Sequence, residues 1–245
     1  MKLPPASERV RAEWRSRIAA EYGSAAITQH LVLWLIQIGA PPDVLDEGLR
    51  IVKDELEHAR LSHETYAAAG GGPPPTLARD ALGLVRDPDV PLEVDVLRAG
   101  VQVFALGETV AVPLFKHLRE RCTALPARTA LDRILRDEVR HRDFGWTLLD
   151  YLATTPLTDE LPALVTRELP AMLTQLERNY GDSGGTPVAI SDDDRAWGLA
   201  PADEYATILR RTFDRDYLPR FTTRGIDPRP AWAARHGPSG SKQPK

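Results

Sequence analysis

Two short stretches of this sequence pair a carboxylate with an imidazole at a spacing that suits metal chemistry. Asp137-Glu138-Val139-Arg140-His141 sets Glu138 and His141 three residues apart, and Asp54-Glu55-Leu56-Glu57-His58 does the same with Glu55 and His58. Residues three apart in a helix lie side by side on one face, so each pair would offer an oxygen and a nitrogen donor to one point. A single pair of this kind is a weak signal. Two pairs, each preceded by Asp and each inside an amphipathic pattern, are a stronger one.

The elements that must carry them follow from hydrophobic periodicity. Residues 7–39 read as one helix whose inner stripe is Trp14, Ile18, Glu21, Ala25, Thr28, Val32 and Leu35. Gly39-Ala40-Pro41-Pro42 ends it, because proline has no N–H to donate. Residues 43–69 read as a second helix with Leu45, Gly48, Val52, Glu55, His58, Ser62 and Tyr66 inward. Gly70-Gly71-Gly72-Pro73-Pro74-Pro75 stops it, and the connection to about residue 91 is too long for a turn between neighbours; it suits a crossover along the bundle. The third helix, 92–121, carries Leu97, Val101, Phe104, Glu108, Val112 and Phe115, with a kink expected from Pro113 just past Glu108. The fourth, 127–153, turns Leu131, Ile134, Glu138, His141, Gly145, Leu148 and Leu152 inward. Further helices are expected over 158–179 and 202–224, with Gly181 to Asp194 as a loop. The predicted fold is all-α: a four-helix bundle over 7–155, a C-terminal helical extension over 156–227 packed on it, and a disordered tail over 228–245.

Antiparallel helices joined by a tight turn bring together residues equidistant from that turn. Glu21 and the Glu55/His58 pair are symmetric about residue 39; Glu108 and the Glu138/His141 pair are symmetric about residue 124. Both halves therefore place their polar residues at one level, and four carboxylates and two imidazoles converge if the halves pack together. Burying four anions costs several kcal/mol each unless cations neutralise them. Two divalent metals supply the matching charge, and mixed Glu/His donors suit iron or manganese better than magnesium.

With these six positions in view, the sequence resembles the ferritin-like di-iron carboxylate proteins. The resemblance covers about residues 7–153 and implies a ligand set of Glu21, Glu55, His58, Glu108, Glu138 and His141. By that analogy Glu55 and Glu138 bridge the metals, while Glu21 with His58 and Glu108 with His141 complete the two ends. It also implies that Asp137 braces His58 and Asp54 braces His141 from the opposite helix, fixing each imidazole. Arg140 resembles the arginine of that motif; Glu57, at the matching place in the other pair, departs from it. The implied cofactor is two iron ions, with manganese or a mixed manganese–iron pair compatible, and dioxygen as co-substrate.

The remaining candidates fall outside the set, and the four other histidines read as surface residues. His30 and His117 lie about half a turn out of phase with the ligands, His63 is off the seam, and His236 is in the tail. Tyr66 is in phase but three turns from Glu55, which suits core packing. Ala25, Thr28, Ala105, Ala111 and Gly145 could equally leave room for a substrate or let helices approach closely.

Composition narrows the function classes. The chain has 245 residues, 42% hydrophobic, with no apolar run long enough to span a membrane and no signal-peptide core, so a cytoplasmic enzyme is expected. Cys122 is the only cysteine, which rules out internal disulfides and a Cys-x-x-Cys redox module. A net charge of −4 gives no general pull toward nucleic acid. The expected function is an oxygen-dependent di-iron oxygenase or oxidase acting on a small organic molecule, with an external electron donor and room for a homodimer. Iron storage or ferroxidation, or rubrerythrin-like peroxide scavenging, is the alternative.

Overall fold

A computed structural model describes residues 3–180 and 189–235. Among them the chain is all-helical, with eight helices when contiguous segments are joined and no strand. The first, α1 (Glu8–Gln37), opens on Ser7, whose hydroxyl accepts from the Val10 amide at 3.2 Å. Gly39, at φ 72°, reverses the chain in a left-handed conformation that favours glycine, and α2 (Pro42–Ala68) begins on proline, which has no N–H to leave unsatisfied. Ser24 meets Glu55 and Glu21 meets His58, so α1 and α2 run antiparallel.

The third helix, α3 (Leu92–Glu120), is α-helical over Leu92–Ala99, π-helical over Gly100–Glu108 and α-helical again over Thr109–Glu120. The irregularity lies before Glu108, whereas the sequence places it after, at Pro113. Bonding from i to i+5 turns the face that follows. Val112 and Phe115, expected in the core, are therefore half-buried, and Val110, Ala111, Leu114 and Leu118 are buried instead. The fourth helix, α4 (Leu125–Leu152), packs on both α3 and α2. Gly48 approaches Phe144 and His58 approaches Asp137, so α4 is antiparallel to α2. Because α4 also returns along α3, α2 and α3 run parallel, and residues 69–91 carry the chain back between them. That segment is tied down by Leu84, whose amide donates to His30 Nδ1 at 3.0 Å, and by Asp95, which accepts from the Asp87 amide at 3.0 Å.

The C-terminal part comprises α5 (Leu161–Tyr180), α6 (Asp192–Ala196), α7 and α8 (Arg229–Ala234); α7 is continuous through Ala202–Thr212, a π-helical Phe213–Tyr217 and Leu218–Thr222. Two expectations change here. Residues 192–196 of the expected loop are helical, started by a capping box in which Ser191 and Asp194 satisfy each other's amides; residues 181–188 of that loop lie outside the described residues. Residues 229–234 of the expected disordered tail form a packed helix. Trp232 stacks on Phe213 with ring centroids 4.3 Å apart and Ala231 is buried, so apolar contact orders it. Residues 236–245, His236 included, lie outside the described residues.

The apolar core falls into two clusters. One gathers Leu35, Ile51, Phe104, Phe144 and Leu148 with α5, α7 and α8; the other gathers Trp14, Ile18, Leu61, Leu118, Leu131 and Trp197. The six polar candidates occupy the level between them. By length and composition α3 alone among the described residues could cross a membrane, and 61% of its most apolar window is buried among the other helices, as in a core helix.

Gly145 settles one open reading. A Cβ there would sit 2.5 Å from both the Ala105 nitrogen and the Phe104 carbonyl carbon, so glycine serves a close backbone approach between α4 and α3. Gly145→Ala should destabilise the protein by about 1–3 kcal/mol. Urea unfolding followed by helical circular dichroism measures this, and an unchanged midpoint would contradict the contact.

Candidate metal centre

All six candidates converge. Relative exposure is 0% for His58 and His141, 2% for Glu55, 3% for Glu138, 8% for Glu21 and 9% for Glu108. Glu21, Glu55 and His58 bring one donor atom each to within 4.8 Å of one another, and Glu55, Glu108 and His141 do the same. Glu55 thus belongs to both triads, with its Oε2 3.5 Å from His58 Nδ1 and its Oε1 3.3 Å from His141 Nδ1. Glu138 is the sixth: its Oε2 lies 3.7 Å from His141 Nδ1, and the Glu108 carboxyl stands beside it.

Both imidazoles are oriented from outside. His58 Nε2 is 3.2 Å from Asp137 Oδ2 and His141 Nε2 is 3.5 Å from Asp54 Oδ2, each across the α2–α4 seam. With the Nε2 protons on that side, both Nδ1 atoms face the carboxylates. The aspartates are held in turn by a closed ring. Arg133 bonds Asp137 and reaches Asp54 at 3.1 Å, while Arg140 bonds Asp54 and reaches Asp137 at 3.4 Å. Sequence reasoning missed Arg133, although it stands one turn before Asp137, the spacing of a helical ion pair. It also missed Ser24, whose hydroxyl donates to Glu55 Oε1 at 3.0 Å; the symmetry about the α1–α2 turn that located Glu21 would have found it.

The electrostatics show how the chain tolerates so much buried charge. Burial, then the neighbouring Glu55, drives the Glu21 carboxyl well above its ordinary range; burial and Glu108 do the same to Glu138. Burial also raises Glu108. Burial would raise Glu55 too, but His141 and His58 beside it hold it well below the usual range. Burial opposes charge on the imidazoles, yet Asp137 and Glu55 push His58 up to about 9, and Asp54 and Glu55 push His141 up to about 10.

His58 Nδ1, His141 Nδ1 and Glu138 Oε2 are buried with no hydrogen-bond partner. Buried polar atoms of native proteins are nearly always satisfied, and these three share one level, lack partners and are all metal-donor atoms. The donor set therefore fits a pair of divalent metals. The other candidates have different roles. His30 accepts from Leu84, His63 packs edge-on against Tyr22, and His117 pairs with Glu204. Tyr66 is buried in the Trp14 cluster, and its hydroxyl accepts from the Gly72 amide.

Comparison with known proteins adds little to this geometry. No family model matches the chain, and no solved structure matches it. Over 97 residues the chain is 36% identical to Protein GrpE 2 of Streptomyces avermitilis, a likeness covering 38% of this chain and 46% of that protein. The chain thus spans about half the length of that relative.

The raised groups give a signed pH dependence. His58 and His141 rise from 6.5 to about 9 and about 10 in the folded protein, so their contribution to stability is complete below pH 6.5 and is lost as pH rises through those values. Raised Glu21 and Glu138 act in the same direction. Asp54, Asp137 and Glu55 are lowered, so their contribution is already complete across this window. The metal-free protein should lose Tm steadily from pH 6.5 to 10; a Tm that rises over that range would contradict these assignments.

Proposed function

We propose that α1–α4 form a ferritin-like four-helix bundle holding two divalent metal ions, iron first among them, and that the protein uses dioxygen to oxidise a small organic substrate. The observation that carries this reading is the pair of donor triads sharing Glu55, with both imidazole Nδ1 atoms buried and unpartnered between them. Four helices supply the donors in the pattern of that bundle class: one Glu each from α1 and α3, and one Glu-x-x-His pair each from α2 and α4. Oxygen and nitrogen donors together suit iron or manganese, separately or as a mixed pair.

Each residue has a part. Glu21 with His58, and Glu108 with His141, would hold the two ends, and Glu55 and Glu138 would lie between them. Asp137 and Asp54 keep the Nε2 protons and so leave Nδ1 lone pairs free for metal. Ser24 fixes one Glu55 oxygen. Four protons, on Glu21, Glu138 and the two imidazoles, would leave as two metals bind, which keeps the buried charge balanced. When bound, two ferrous ions supply dioxygen with two electrons at one place, the chemistry common to oxygenases and oxidases of this class. An external reductant belongs to this reading, since those electrons must be replaced. The partial likeness to a GrpE protein offers no account of the buried donors.

Anaerobic Fe(II) titration should give two irons per chain with release of protons, and Glu55→Ala should abolish binding at both positions. Asp137→Asn should weaken metal binding by about 10–100-fold. Exposure to oxygen should then produce an optical change absent from Glu55→Ala. Uptake of many irons per chain would replace this reading with storage, consumption of peroxide in preference to oxygen would replace it with scavenging, and no specific binding would remove it.

A further inference from the structure

A second unsatisfied group lies one helical turn from this centre. Arg17 is 8% exposed and sits on α1 four residues before Glu21. Its Nε donates to Glu13 Oε1 at 2.9 Å and one terminal nitrogen donates to the Gly198 carbonyl at 3.4 Å. The guanidinium carbon lies 4.8 Å from the Trp14 ring centroid and 5.5 Å from that of Phe115. The other terminal nitrogen, NH1, is buried and has no partner. Gly198, at φ 82° with no room for a Cβ beside Leu131, presents its carbonyl through a turn that only glycine adopts easily. The guanidinium is therefore clamped on two sides and unsatisfied on the third.

The C-terminal helices complete the surroundings. Tyr180, at the end of α5, packs half-buried against both apolar clusters, and burial, then the charges of Glu108, Glu138 and Glu21, raises its hydroxyl above the ordinary value. Tyr205 of α7 packs against the cluster that holds Trp14, as Phe115 does. A buried arginine with a free N–H beside Trp14, Phe115 and Tyr205 has the chemistry that holds a carboxylate: a planar cation for the anion and aromatic surface for a carbon skeleton.

We propose that Arg17 is the substrate-binding residue of the centre and that the oxidised substrate is a small carboxylic acid bound as its carboxylate. This rests on the oxygenase reading for the reaction, but not for the anion site. Four residues along a helix span about 6 Å, so a carboxylate on Arg17 leaves carbons a few bonds away beside Glu21.

The test is calorimetric titration of the full chain, iron-loaded and iron-free, with butyrate and benzoate and with their uncharged amides. One carboxylate should bind per chain and the amides at least about tenfold more weakly; Arg17→Gln should lower carboxylate affinity by a similar factor with iron stoichiometry unchanged, and Arg17→Lys should fall between. Equal binding of acids and amides, no carboxylate binding, or affinity unaffected by Arg17→Gln would overturn the proposal. Should Arg17→Gln fail to fold, the acid-against-amide comparison on the unaltered protein decides. Arg17-dependent carboxylate binding without iron binding would leave the anion site standing and remove the oxygenase reading. Two irons without Arg17 dependence would remove only the anion site.

Discussion

Four carboxylates and two imidazoles buried at one level, between two apolar clusters, are the constraint on which this structure depends. Charge in such a place must be cancelled or neutralised. The metal-free chain does so with protons: Glu21 and Glu138 are pushed toward the neutral acid, while the imidazoles become cationic around an ionised Glu55. Protons balance the charge but leave His58 Nδ1, His141 Nδ1 and Glu138 Oε2 without partners. A pair of divalent cations would satisfy both requirements, which is why the donor geometry and the electrostatics favour the same reading.

The α2–α4 seam shows how such a cluster is kept in register. Asp54 and Asp137 each face an imidazole on one side and the two arginines, Arg133 and Arg140, on the other. Both arginines are only partly exposed, so the ring is a layer between solvent and the buried histidines. It links the two helices by side chains that also orient the donors, coupling helix packing to site geometry.

The C-terminal helices belong to the site as much as to the fold. Trp197 accepts from the Trp14 indole through its carbonyl, Gly198 holds Arg17, and Tyr217 donates to the Leu106 carbonyl within the π-helical part of α3. Through these bonds the segment beyond the fourth helix touches α1 and α3 on either side of the polar level.

Much of this was legible in the sequence. Periodicity marked the long helices, and symmetry about Gly39-Ala40 and Ala124 located all six polar residues, because helix rise and antiparallel pairing are set by backbone geometry alone. Other features depended on contacts between segments distant in the chain. The π-helical stretch moved Val112 and Phe115 off the core, a shift that no regular period can express. Helix α8 forms because Trp232 finds Phe213. Arg17 lies outside the inner stripe that periodicity marks on α1 and is buried because Trp14, Phe115 and Gly198 close around it. Local spacing therefore determined which residues share a face and a level, while burial, orientation and unsatisfied groups were decided by tertiary packing, since those properties belong to the neighbours a residue acquires.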